Sequence, residues 1–201
     1  MLVVVRHGNT FEAGEPPRRI GARTDLPLTA RGAEQAEMLG RHFAAKGWHF
    51  TRALVSPLLR TRQTAAAILA CQRNAPQIES ADFLREIDHG PDENATEEAV
   101  LARIGAQALA AWDVNATPPP GWEVDAPMRI AAWKSLLAQV PATPTLLVTS
   151  NGAGRFALMA DDALAQKAAA LPSLKLPTGG YGVIQRSASG ELDVACWGQR
   201  P

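Results

Sequence analysis

An α/β fold, three layers deep with a mostly parallel central sheet between helices, is what this sequence predicts, and three observations carry the prediction. Leu2-Val3-Val4-Val5 is a continuous apolar run, as a strand buried on both faces of a parallel sheet reads. Thr145-Leu146-Leu147-Val148-Thr149 repeats the pattern late in the chain. Between and beyond them, strand-like stretches alternate with stretches of helical period, the order that builds a sheet covered on both faces.

The elements follow in order. After the first run, residues 11–30 contain Gly14, Pro16-Pro17, Gly21 and Pro27, too many breakers for either regular structure, so a loop is expected. Thr29 suits an N-cap for a helix over 30–46, with Ala36, Leu39 and Phe43 on one face and Gly47 as its stop. Arg52-Ala53-Leu54-Val55 reads as a strand, and Ser56-Pro57 as the cap and first turn of a helix reaching Cys71. Residues 78–84 are expected to be extended. Pro91 and Asn94 mark a turn before a helix over 95–112 with the apolar stripe Leu101, Ile104, Ala108 and Trp112. Pro118-Pro119-Pro120-Gly121 is a stiff connection within the domain. Asp125 and Pro127 open a helix that turns Ile130, Trp133, Leu137 and Val140 inward and stops before Pro141. The late strand ends in Ser150-Asn151-Gly152, then helical Phe156-Ala157-Leu158 and an Ala-rich helix over 163–170. Residues 181–185 and 192–197 form a closing hairpin.

At 201 residues the chain is expected to form one domain over 1–201, with 90–125 as a candidate cap or insertion. Twenty Lys plus Arg balance twenty Asp plus Glu, so no global field attracts nucleic acid or an anionic membrane. No stretch resembles a signal peptide or approaches the roughly 20 apolar residues of a membrane span, and a cytoplasmic protein is expected. Cys71 and Cys196 lie far apart and outside any Cys-x-x-Cys pattern, which points to buried reduced thiols rather than a disulfide or zinc site. Trp112, Trp122, Trp133 and Trp197 are read as packing residues.

Two stretches carry chemistry. Arg6-His7-Gly8 places a fixed cation and an imidazole at the carboxyl end of the first strand, where open α/β sheets hold ligands. Arginine forms paired hydrogen bonds to phosphoryl oxygens, and neutral imidazole is a competent phosphoryl acceptor. Ser56 to Ala65 places Arg60 in the first turn of a helix whose N-terminus itself favours anions.

These stretches, together with Asp25, Leu28-Thr29, Gly32, Gln35-Ala36 and Leu84-Arg85-Glu86 before Gly90, resemble the histidine phosphatases, the phosphoglycerate mutase-like superfamily. The resemblance implies a phosphoglycerate mutase-like fold and a metal-independent phosphomonoester hydrolase without a cofactor, acting on a small phosphorylated substrate. It implies that His7 accepts the phosphoryl group, that Arg6 and Arg60, with Asn9 and Gly152, hold phosphate oxygens, and that Glu86 protonates the leaving oxygen. That last role calls for a raised pKa, so Asp88 and Glu93 stay as rival acids. Arg18, Arg19 and Arg23, in the loop after the nucleophile, are candidates for meeting a second anionic group of the substrate.

One position departs from the pattern. Where the family carries a second histidine this chain has Asn151, which can donate a hydrogen bond to phosphate but holds no charge. Losing a preorganised donor slows oxyanion chemistry by about 10²- to 10³-fold, so the expectation is a slowed phosphatase. The alternatives are a silent relative that binds a phosphorylated ligand or a protein partner and, less favoured, a mutase. Of the other histidines, His89 is a candidate for the missing role, and His42 and His49 are read as structural.

Overall fold

The computed structural model describes residues 1–201. Strand β1 (Leu2–Arg6) is followed by α1 (Ala30–Ala45), β2 (Arg52–Val55), α2 (Leu59–Leu69) and β3 (Ile78–Ser80). Helices α3 (Glu97–Asn115) and α4 (Ala126–Ala138) lead to β4 (Thr145–Thr149). The short helices α5 (Asn151–Gly154) and α6 (Phe156–Met159), then α7 (Asp162–Ala169), precede the hairpin β5 (Tyr181–Arg186) and β6 (Leu192–Gln199).

The six strands form one sheet in the order β3-β2-β4-β1-β5-β6. The first four are parallel, and the hairpin adds antiparallel beside β1, which makes the sheet mixed. Alternation along each strand divides the apolar residues between two cores. Leu2, Val4, Leu54, Leu147 and Ile184 face the side covered by α3, α4, α6 and α7. Val3, Val5, Ala53, Val55, Leu146, Val148 and Val183 face α1 and α2. The continuous runs in β1 and β4 follow from this, because both faces of the two central strands are dry and each fully buried Val or Leu contributes about 1.5–3 kcal/mol.

The chain leaves β1 toward one face, into α1, and leaves the neighbouring β4 toward the other, into α5 and α6. Adjacent parallel strands with opposite exits open a crevice at their carboxyl ends, the usual ligand position in such sheets.

Several expected boundaries shift. Helix α2 begins at Leu59, not Pro57, because its cap comes from the distant loop: Asp25 Oδ1 accepts the Leu59 N–H at 2.7 Å, while Ser56 Oγ only approaches the Leu58 N–H at 3.4 Å. Of the extended stretch 78–84 only Ile78–Ser80 pairs, and 82–84 coil into a 3₁₀ turn. In α3 the expected stripe is out of phase. Gly105 sits at φ +79°, ψ +160° and breaks the helix, so Val100 and Trp112 are buried while Leu101 is 46% exposed. Cys71 and Cys196 are free thiols, as expected, but half-buried. Cys71 lies just past the end of α2, and Cys196 is on the edge strand β6.

Residues 90–125 do not stand apart from the rest. Val100, Trp112, Ala116, Trp122 and Val124 join the core cluster that contains β1 and β4 side chains. The four tryptophans read as packing residues are each at most 8% exposed. No helix is long and apolar enough to cross a membrane.

Candidate active site

At the carboxyl ends of β1 and β4 lies a cavity of about 420 Å³. Arg6, His7 and Asn9 line it from the β1 side, Asn151 and Gly152 from the start of α5, and Glu86 and His89 from the segment after β3. The loop 17–20, Glu97, Trp112 and Asp113 of α3, Lys175 and Thr178 complete the wall.

The loop after β1 is held by the residues that carried the resemblance. The Gly8 N–H donates to Thr64 Oγ1 (3.1 Å), and the Asn9 N–H to Gln35 Oε1 (2.9 Å). Gly8 itself lies against Gly32 at the start of α1, where a Cβ would come 2.2 Å from the Gly32 carbonyl oxygen. No side chain fits between these backbones, so the motif needs glycine at position 8.

His7 is 5% exposed, and its Nδ1 lies 2.7 Å from the Gly8 carbonyl oxygen. A carbonyl can only accept, so Nδ1 carries the hydrogen and Nε2 keeps the lone pair in the neutral ring. Burial, then the charges of Arg60 and Arg6, hold the His7 pKa well below the ordinary imidazole value. The ring is therefore a neutral nucleophile with a fixed tautomer.

Arg6 donates through Nη1 to the Leu176 carbonyl (2.9 Å), and its Nε has no partner. Arg60, fully buried at the start of α2, lies outside the cavity wall. Its Nη1 donates to the Thr24 carbonyl (2.8 Å) and its Nη2 to the Gly21 carbonyl (3.1 Å), which ties down the loop after β1; its Nε is also unpartnered. The Asn9 amide lines the cavity but donates to the Phe11 carbonyl and to Thr29 Oγ1 (3.2 Å). Asn151 Oδ1 accepts the Leu176 N–H at 3.1 Å, which turns its NH₂ group the other way, as a free donor.

Glu86 is bound differently from the expectation. Oε1 accepts the N–H groups of Ile87 (2.9 Å) and Ala153 (3.1 Å), and Oε2 that of Gly152 (3.0 Å). Burial pushes its pKa up, but His89, the Gly152 and Ile87 N–H groups and Arg60 outweigh burial and leave it below the usual carboxylate range. With no phosphoryl group beside it the shift of Glu86 is downward, and the carboxylate takes up the Gly152 N–H expected to meet phosphate.

The rival acids lie outside the wall. Asp88 pairs with exposed Arg23 at 2.8 Å. Glu93 accepts the Gly21 N–H (2.8 Å) and the Thr24 hydroxyl (2.7 Å), and despite burial these bonds and nearby His89 hold its pKa down to about 2. Of the loop arginines, Arg18 and Arg19 reach the wall, paired with Glu15 (2.8 Å) and Glu97 (2.7 Å), whereas Arg23 does not. His42 bonds to the Tyr181 hydroxyl (2.9 Å) and His49 is exposed, both away from the site.

Sequence reasoning passed over Lys175, Thr178 and the loop around them that leads into β5. That loop closes the site through backbone bonds: Gly179 N–H to the His7 carbonyl (3.1 Å) and Arg6 N–H to the Gly180 carbonyl (2.9 Å). The Gly179-Gly180 pair just before β5 is the one local signal that could have marked it.

The family model described as histidine phosphatase superfamily (branch 1) matches residues 2–198. A 2,3-bisphosphoglycerate-dependent phosphoglycerate mutase from Methylobacterium sp. (strain 4-46) is 32% identical over 187 residues, covering 89% of this chain and 88% of the mutase. Among solved structures, a mycobacterial glucosyl-3-phosphoglycerate phosphatase superposes with a TM-score of 0.75 at 19% identity, covering 100% of this chain and 99% of that one. An alpha-ribazole phosphatase from Shigella flexneri gives 0.69 at 20% identity, covering 99% and 96%. At those identities the structures speak to the fold alone.

Proposed function

The chain belongs to the histidine phosphatase superfamily, and from that premise we propose that it is a metal-independent phosphomonoester hydrolase acting through a phosphohistidine at His7. One observation carries the reading: the His7 ring is buried, neutral and hydrogen-bonded through Nδ1, which leaves Nε2 as the nucleophile in a cavity beside Arg6.

In this reading a small phosphate ester enters with its phosphoryl group toward His7. Arg6, the free amide of Asn151 and the field of buried Arg60 meet the charge on the equatorial oxygens. Nε2 attacks phosphorus, the ester oxygen leaves, and water then releases phosphate from the ring. The protein's main contribution is alignment and positive potential. Residues 1–201 act as one domain, and 90–125 supply a side wall through Glu97, Trp112 and Asp113. The loop cations Arg18 and Arg19 carry their own carboxylate partners, which favours a substrate with one phosphate over a polyanion. The reading as a silent relative has no support beyond Asn151 itself.

Incubation with a ³²P-labelled phosphate ester is expected to leave acid-labile, base-stable label on the wild type and none on His7→Ala. No label, together with no turnover across a broad panel of esters, would overturn the reading.

A further inference from the structure

We propose that the substrate is an amphiphilic monophosphate, whose alcohol carries an alkyl body that lies in a second cavity adjoining the first. This substrate class rests on the phosphatase reading above and extends it from the reacting phosphate to the group that leaves. The second cavity is a groove of about 710 Å³, lined by the end of α3, by α6 and α7 and by the loop after α7. Its apolar walls are Val114, Leu158, Met159, Ala168, Leu171 and Leu174. The volume lies within the about 300–1,000 Å³ of small-molecule sites.

Asp113 and Lys175 line both cavities. On either side of them the same two segments divide. Along α3, Trp112 belongs to the catalytic wall and Val114 to the groove. Along the loop, Leu174 lines the groove, whereas Leu176 accepts from Arg6 through its carbonyl (2.9 Å) and donates its N–H to Asn151 (3.1 Å). The groove therefore begins one residue beyond groups that hold the phosphate-binding side chains.

The junction suits the passage of a hydrocarbon. Lys175 Nζ donates to Asp113 Oδ2 at 2.6 Å, so each charge has its partner. A chain crossing the pair runs along the methylene stem of the lysine, with no free charge to desolvate. Beyond the pair, apolar surface lies open. Val114 is 67% exposed, the most of any large apolar residue in the chain, and Ala165 and Ala169 of α7 are exposed beside it in the groove. Single apolar residues on a surface need no explanation, but these meet in one concavity that adjoins the cavity of His7 and Arg6. Charged groups at one end and apolar walls at the other match a phosphate head on a hydrocarbon body.

Ethylphosphonate and octylphosphonate, which keep the charged head and cannot be hydrolysed, test this as inhibitors of 4-nitrophenyl phosphate turnover. Both should compete with the ester. Ki is expected to fall by up to about fourfold for each methylene that enters the groove, and by at least about 30-fold from ethyl to octyl. Val114→Glu and Ala165→Glu alter exposed positions on two different walls. Each should raise the octylphosphonate Ki by about 10-fold or more and move the ethylphosphonate Ki far less. Equal Ki values for the two phosphonates in the wild type, an octyl advantage that survives both variants, or inhibition that is not competitive would overturn the substrate class and leave the phosphatase reading standing. Equal Ki values together with a dimer that Val114→Glu dissociates would give the groove to a second copy of the chain instead. A wild type that neither turns over 4-nitrophenyl phosphate nor takes label on His7 would overturn both.

Discussion

At His7 the chemistry turns on which ring nitrogen carries the hydrogen, and a single backbone carbonyl, that of Gly8, decides it. Gly8 also sets how closely the nucleophile loop approaches α1. Gly8→Ala is therefore expected to lower stability by about 1–3 kcal/mol, because its Cβ would overlap the Gly32 carbonyl and the backbones must part. Urea unfolding measures this, and wild-type stability with unchanged phosphorylation of His7 would show that the loop tolerates the shift. Asn151 is the opposite case, a position where local structure admits more than one residue. Its Oδ1 accepts the Leu176 N–H, whereas a doubly protonated histidine would give up that bond and offer phosphate a charged donor in place of the neutral amide. Asn151→His should raise turnover of 4-nitrophenyl phosphate by about 10²-fold or more. An unchanged kcat would mean that the neutral amide does not limit the reaction.

The loop over 20–24 shows how elements far apart in sequence support the site. It has no regular structure, yet Glu93 binds its N–H groups and the Thr24 hydroxyl while Arg60 binds its carbonyls. The Glu93 pKa of about 2 lies below its unfolded value near 4.3, so its contribution is fully present above that value and is lost as pH falls toward 2. Allowing for solvent screening, this amounts to roughly 1–3 kcal/mol. In Glu93→Gln the loss of stability between about pH 4.5 and 2.5 should flatten, with lower stability at pH 7; an acid limb identical to the wild type's would refute the anchoring role. Helix α3 carries a different device. Gly105 lies in a backbone region essentially closed to other residues, although an added methyl group would have nothing within 4 Å of it, so the penalty for a side chain there is conformational and not steric crowding by neighbours. Gly105→Ala is expected to cost about 1–3 kcal/mol by urea unfolding, whereas a gain in stability would mean that α3 straightens without penalty.

Across the whole molecule, the two cores on either face of the sheet hold β1 and β4 rigid, and the crevice between their ends is where a phosphate analogue should couple to stability. Orthovanadate at about 100 times its Kd should add about 2.7 kcal/mol, or roughly 5–11 °C in Tm for a chain of this size. Arg6→Ala should remove most of that shift. A shift of equal size in both proteins would place the anion elsewhere.

By itself the sequence determined the α/β class, the two central strands, the hairpin and the residues around His7, because these depend on local periods and short motifs that adjacent residues set. Even there Gly105 spoiled the phase of α3, since a helical period extends only as far as the helical backbone does. Tertiary structure alone decided the rest. It capped α2 from Asp25 instead of Ser56, surrounded Glu86 with N–H groups that lower its pKa, and turned Glu93 and Arg60 to holding a loop. It also brought His89 and Lys175 to the wall. Charge state and hydrogen bonding depend on neighbours within a few ångströms, and in this site those neighbours come from segments tens of residues apart.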